Sequence, residues 1–280
     1  MLILSLLLIL GSPEKSQSFA NPSESLPESS PTSLAPSYPN PELKIVINIP
    51  EMKLRLYEKG KLVDEHTVAV GMPQYQTPVG TYSIERIEWN PWWLPPDSPW
   101  AKDAKKTPPG PGNPLGPVKM VMTDALRIHG TNKPGSIGHA ASHACIRMKN
   151  EEAKDLAWYI QSRSSTKIDE ALKEKYAKNR SSTFYVPLDY PVEVDFVYEP
   201  VSVTQENIEV LPDVYGKVKK LKDSIIEKVQ LMNIDPSVLD PNKLSKLKKP
   251  YKEKLILSLS DLIYNPLSPE SSPNAKPNVK

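Results

Sequence analysis

The stretch from Leu126 to Asn150 reads LRIHGTNKPGSIGHAASHACIRMKN and gathers His129, His139 and His143, three of the chain's four histidines, with its only cysteine, Cys145. Chance is a poor explanation for that density. A cysteine attacks as thiolate, and a thiol of ordinary pKa ~8.5 needs an imidazole or a helix N-terminus nearby to lose its proton. His129 at a strand end supplies the first. From Asn150 the pattern is helical, with Asn150 as N-cap, Glu151 and Glu152 in the first turn and Ala153, Leu156, Ala157 and Ile160 along one face. The chemistry therefore falls between a strand and a helix. Small residues in Ser142-His143-Ala144-Cys145 let backbone N–H groups face a carbonyl, as a developing oxyanion requires. Gly130, Gly135 and Gly138 give the backbone freedom where a substrate chain approaches.

On either side of this stretch the period is two. Leu43, Ile45, Ile47 and Ile49 alternate with Lys44, Val46 and Asn48, and Leu54 and Leu56 alternate with Lys53 and Arg55. A turn at Glu58-Lys59-Gly60-Lys61 returns the chain through Val68 and Val70. Thr81 to Glu88, Val118 to Thr123 with Leu126 to Ile128, and the alternation Val192, Val194, Phe196, Tyr198 add further strands. Residues 89–117 hold Trp89, Trp92, Trp93 and Trp100 among prolines and glycines, which reads either as a substrate wall or as an ordered loop packed by its own tryptophans. The expected fold class is mainly β, a sandwich-like domain over 42–204 with one or two helices.

The flanks differ from this centre. Leu2 to Leu10 is almost unbroken apolar sequence, followed by Ser18-Phe19-Ala20, so 1–20 reads as a signal peptide or an uncleaved N-terminal anchor. Residues 21–41 read as a disordered Pro/Ser linker, 205–265 as a Lys-rich helical extension with Val218, Leu221, Ile225 and Val229 on one face, and 266–280 as a disordered tail. Export is implied, to the periplasm or cell envelope. With 35 Lys+Arg against 33 Asp+Glu there is no global field that would favour nucleic acid. Membrane contact is expected through the N-terminus alone, and only if that segment stays attached. Six lysines between Lys243 and Lys254 read as a solvated face, or as a surface for an anionic envelope polymer.

His129-Gly130-Thr131, Ser136-Ile137-Gly138 and Ser142-His143-Ala144-Cys145-Ile146-Arg147 together resemble the signature of the L,D-transpeptidase family with the YkuD-type catalytic domain. Val70-Gly71, Thr77-Pro78-Val79-Gly80-Thr81-Tyr82 and Asn113-Pro114-Leu115-Gly116 extend the resemblance over about residues 43–199. The resemblance implies a cysteine-dependent acyltransferase acting on peptidoglycan stem peptides. Cys145 would be acylated by a tetrapeptide with release of the terminal D-alanine, and an acceptor amine would resolve the thioester. It further implies His129 as general base, oriented by a backbone carbonyl near Gly130. Gly130, Thr131, Ser142 and His143 would line the site, the N–H groups around Ala144 and Cys145 would form the oxyanion hole, and Arg147 would hold a substrate carboxylate. No cofactor and no metal are implied.

The acceptor stays open at this level: a stem-peptide amine for crosslinking, an envelope lipoprotein for anchoring, or water for carboxypeptidase activity. The family pattern has glycine where this chain has Ala144, and a positive φ there costs an alanine roughly 1 kcal/mol. A catalytically weak or inactive peptidoglycan-binding paralogue is the corresponding alternative. A zinc site is the other, since His139 and His143 stand four apart with Cys145 and His129 as further ligands. Pro134, Gly135 and Gly138 argue against the helix that this spacing needs.

Overall fold

The computed structural model describes residues 42–247 and 254–264. The expected signal, linker and C-terminal tail lie outside them, as does much of the lysine run. Among the described residues, no helix is long and apolar enough to cross a membrane.

Ten strands precede residue 200: β1 (Leu43–Asn48), β2 (Lys53–Glu58), β3 (Lys61–Thr67), β4 (Val70–Gly71), β5 (Gly80–Trp89), β6 (Val118–Val121), β7 (Arg127–His129), β8 (Ala140–Ser142), β9 (Ile146–Arg147) and β10 (Phe184–Val197). Eight form one curled sheet in the order β3-β2-β1-β10-β5-β6-β7-β9, and β4 pairs with β8 in a separate parallel ribbon. The domain is mainly β, as the alternation predicts. In β1 the apolar phase Leu43, Ile45, Ile47 is buried, while Lys44 reaches solvent and meets Glu193 and Asp195, each at 2.7 Å. Most of the sheet is antiparallel, but β1 runs parallel to β10 and β7 runs parallel to β9.

Two helices complete this domain, α1 (Asn150–Ser164) and α2 (Glu170–Lys178). Helix α1 buries Ala153, Leu156, Ala157 and Ile160 in the same cluster as Ile87, Met120, Ile128 and Ile146 of the sheet. Its start differs from the expected cap. Lys149 holds the N-cap position without a side-chain bond, and Asn150 instead accepts the N–H of Thr131 on Oδ1 at 2.8 Å. The side chain that would close the helix end is thus used to pin the loop after β7 to it. Helix α2 buries only Tyr176, which stacks on Trp89.

From Val201 the apolar side chains join a second cluster, a few residues before the boundary expected at 204. The extension contains α3 (Leu221–Leu231), which buries Leu221, Ile225 and Val229 while Val218, expected on the same face, is buried ahead of the helix, followed by α4 (Pro241–Lys246) and the single turn α5 (Leu259–Leu262). With them comes a three-stranded antiparallel sheet, β11 (Val201–Val203), β12 (Asn207–Val210) and β13 (Leu255–Ser258). Strand β13 is contributed from the far side of the lysine run, a pairing that local composition does not announce.

The loop from 90 to 117 is bolted from inside. Asn113 is fully buried, donates to the carbonyls of Pro91 and Pro108 at 2.8 and 3.0 Å and accepts the N–H of Leu115 at 2.8 Å. Its end abuts the site: Gly116 has φ 64, and a Cβ there would stand 2.4 Å from Asn150 Oδ1 and 2.8 Å from Gly130. Gly116→Ala is therefore expected to lose about 2–4 kcal/mol of stability in urea unfolding, through both strain and the broken Asn150 contact. An unchanged midpoint would refute the close approach.

Candidate active site

Strands β7 and β9 pair with Ile128 opposite Ile146 and His129 opposite Arg147. Both isoleucines are fully buried in the core, so alternation turns Arg127, His129, Cys145 and Arg147 to the other face together. His129 stands opposite Arg147, two positions past Cys145, so His129 and Cys145 are diagonal in the register.

The His129 ring is buried and its Nδ1 lies 2.5 Å from the Gly130 carbonyl. A carbonyl only accepts, so Nδ1 carries the hydrogen and Nε2 is left with its lone pair. Burial is the main cause that pulls this imidazole down to about 3; the Gly130 carbonyl opposes it, while Arg147, Arg127 and Lys119 reinforce it. Cys145 is partly exposed, and its thiol donates to the Ala125 carbonyl at 3.3 Å. Burial pushes the thiol up, against the pull of Arg127 and Arg147. Burial thus biases both groups toward their neutral forms, and the hydrogen on Nδ1 leaves Nε2 as the ring nitrogen with a lone pair.

The segment from Ser142 to Arg147 is held at both ends by residues 69–72. Met72 N–H donates to the Ser142 carbonyl at 2.9 Å, and Ala69 exchanges both backbone bonds with Arg147 at 2.8 and 3.0 Å. Between these anchors Ala144 adopts φ 77, the left-handed conformation that the family's glycine would take without strain. Two hydroxyls secure the turn: Thr77 Oγ1 donates to the Ala144 carbonyl at 2.7 Å, and buried Ser142 donates a short bond to the Cys145 carbonyl. The N–H groups of Ala144 and Cys145 donate to nothing among the described residues, which leaves two adjacent donors for an oxyanion.

The other expected residues fall into two groups. Gly130 and Thr131 support rather than face the site: a Cβ on Gly130 would stand 2.5 Å from Asn150 Oδ1, and buried Thr131 accepts the N–H of Lys133 at 3.0 Å. His143 forms a wall, its ring stacked on Trp100 at 3.8 Å between centroids and tilted against Tyr75 at 4.6 Å. Burial and the charges of Arg147 and Lys133 keep this imidazole below its ordinary value. Arg147 is half-buried and, like Arg127, has no carboxylate partner among the described residues. Thr77, Trp100, Tyr75 and Arg127 are the site residues that sequence reading left out. Trp100 is signalled by the tryptophan-rich loop, which it ties to the site by stacking on His143, and Thr77 only as part of a motif.

His139 is exposed, with Nδ1 3.1 Å from the Ile137 carbonyl. Among the described residues no group of three His, Cys, Asp or Glu side chains is placed to hold a metal ion. The segment leading to Cys145 is strand and turn, not the helix that an i, i+4 ligand pair requires.

The family model for the L,D-transpeptidase catalytic domain (YkuD) matches residues 42–187, just over half of the chain. A putative L,D-transpeptidase YkuD of Bacillus licheniformis is 33% identical over 128 residues, 44% of this chain and 66% of that protein. A probable L,D-transpeptidase YbiS of Escherichia coli is 35% identical over 121 residues, 40% of each chain. The chain thus spans about two thirds of the first relative and well under half of the second. L,D-transpeptidase 3 from Mycobacterium tuberculosis aligns over 55% of this chain and 61% of that one at 18% identity, with a TM-score of 0.37. On the match across its β-rich domain, this chain belongs to the L,D-transpeptidase family with the YkuD-type catalytic domain.

Proposed function

We propose that the chain is a cysteine-dependent L,D-transpeptidase of the cell envelope that transfers an acyl group from a peptidoglycan stem peptide through Cys145. The observation that carries this is the fixed tautomer of His129, whose free Nε2 shares a sheet face with Cys145 beside two unpaired N–H groups.

In the first half-reaction the Cys145 sulfur attacks the carbonyl carbon that precedes the terminal D-alanine, and the thiol proton passes to His129 Nε2. The N–H groups of Ala144 and Cys145 hold the oxyanion. As the C–N bond breaks, the imidazolium returns the proton to the departing amine and a thioester remains. In the second, an acceptor amine attacks the thioester carbon, its proton moves to His129, and the C–S bond breaks. The sulfur then recovers its proton. Arg147 and Arg127 supply unpaired positive charge for substrate carboxylates. Incubation with disaccharide-tetrapeptide and mass spectrometry of the products tests the assignment and identifies the acceptor: crosslinked dimer, peptide joined to an envelope lipoprotein, or tripeptide from hydrolysis. Cys145→Ala is expected to abolish every product, and an unaltered chain that never gains acyl mass would favour a binding paralogue.

A resting neutral pair has a kinetic signature. A thiol held above its ordinary value forms thiolate only at high pH, so alkylation of Cys145 by iodoacetamide should be slow at pH 7 and rise only above the range of an ordinary thiol. A fast rate, flat from pH 6 upward, would instead indicate a thiolate–imidazolium pair.

Ala144→Gly addresses the departure from the family pattern. Relief of the left-handed strain outweighs the extra unfolded-state freedom of glycine, so stability is expected to rise by about 0.5 kcal/mol in thermal unfolding. The acylation rate should hold or increase. A drop of more than 1 kcal/mol (an approximate bound) would mean that the methyl group contributes packing that the φ angle does not reveal.

A further inference from the structure

The extension reaches the nucleophile turn through the hydroxyl of Tyr215, a residue beyond the stretch that matches the family domain. This hydroxyl donates to the Gly71 carbonyl at 2.8 Å and accepts the Thr77 N–H at 3.0 Å, closing the turn from 71 to 77. Thr77 is fully buried, and its own hydroxyl accepts the Gly71 N–H at 2.9 Å while donating to the Ala144 carbonyl at 2.7 Å. The turn has no slack: a Cβ on Gly71 would stand 2.2 Å from the Tyr75 carbonyl oxygen.

Tyr215 is itself held. Its N–H donates to the Tyr198 hydroxyl at 2.9 Å, the Tyr198 hydroxyl donates to Asp213 at 2.6 Å, and the Asp213 carboxylate also accepts the N–H groups of Lys217 and Val218. The rings of Tyr198 and Tyr215 stack with centroids 5.6 Å apart.

Peptide planarity carries this restraint to the site. The carbonyl of Ala144 and the N–H of Cys145 belong to one rigid unit, so a bond that fixes the carbonyl also aims the N–H. Alanine resists φ 77, and such a conformation persists only where its surroundings impose it. We infer that Tyr215 is a positioning residue for acyl transfer, acting through Thr77 to aim the Cys145 N–H at the oxyanion. This rests on the acyl-transfer assignment and adds to it a dependence on the C-terminal extension.

The test compares two reactions of Cys145 in the full chain. Acylation by a carbapenem passes through an oxyanion, whereas alkylation by iodoacetamide uses the same sulfur and forms none. Loss of a direct oxyanion donor costs about 10²–10³ in rate, and misaiming one should cost less, on the order of tenfold. Tyr215→Phe, which keeps the stacked ring, is expected to slow acylation about tenfold and leave alkylation within about twofold. Thr77→Val should do the same, Thr77→Ser should restore the rate, and adding Tyr215→Phe to Thr77→Val should cause no further loss. An unchanged acylation rate in Tyr215→Phe overturns the inference, as does a parallel fall in both reactions or independent effects in the double variant. Absence of acylation in the unaltered chain overturns the acyl-transfer assignment itself, a separate result.

Discussion

The pairing of two very short parallel strands, β7 with β9, governs everything at the site. Because Ile128 lies opposite Ile146, His129 and Cys145 share a face; a slip by one residue would turn one of them into the core. Two strands of three and two residues cannot hold such a register alone. It is held by the burial of both isoleucines, by α1 beneath them, and by Ala69, which pairs with Arg147 from the other side. The large sheet serves as the platform that makes this small parallel pair unambiguous.

Within that register, burial and charge act against each other. Removal from water disfavours both the thiolate and the imidazolium, and it dominates at each group. Arg127 and Arg147 favour the anion on sulfur but further disfavour the cation on His129. The net effect biases both groups toward their neutral forms. An anionic substrate would partly neutralise the two guanidiniums, easing the formation of imidazolium as it docks.

What the sequence disclosed and what it hid divide along the range of the interactions. Period-two alternation located β1, β2 and the second half of β10, and the apolar face of α1 emerged residue for residue, because both follow from local burial. The cluster of His129 and Cys145 was legible because their chemistry is rare at such density. The left-handed turn at Ala144 was legible through the glycine expected there. Thr77 was quoted only as part of a motif, since nothing in its neighbourhood reveals that its hydroxyl bonds to Ala144, 67 positions away. Asn150 looked like an ordinary cap because its true acceptor role involves Thr131, which only the tertiary fold brings near. The pairing of β13 with β12 was hidden for the same reason, the lysine-rich segment between them carrying no trace of it.

Strand β10 sits at the middle of the eight-stranded sheet, between β1 and β5, although it comes last of the eight in the chain. Lys44 waits for Glu193, roughly 150 residues further on, before β1 has its parallel neighbour. Without Phe184–Val197 the sheet is two separate fragments, β3-β2-β1 and β5-β6-β7-β9, each with a bare edge. A chain that lacks this segment therefore has no complete sheet to collapse onto. The central strand acts as the keystone, and the sheet closes only once β10 is in place.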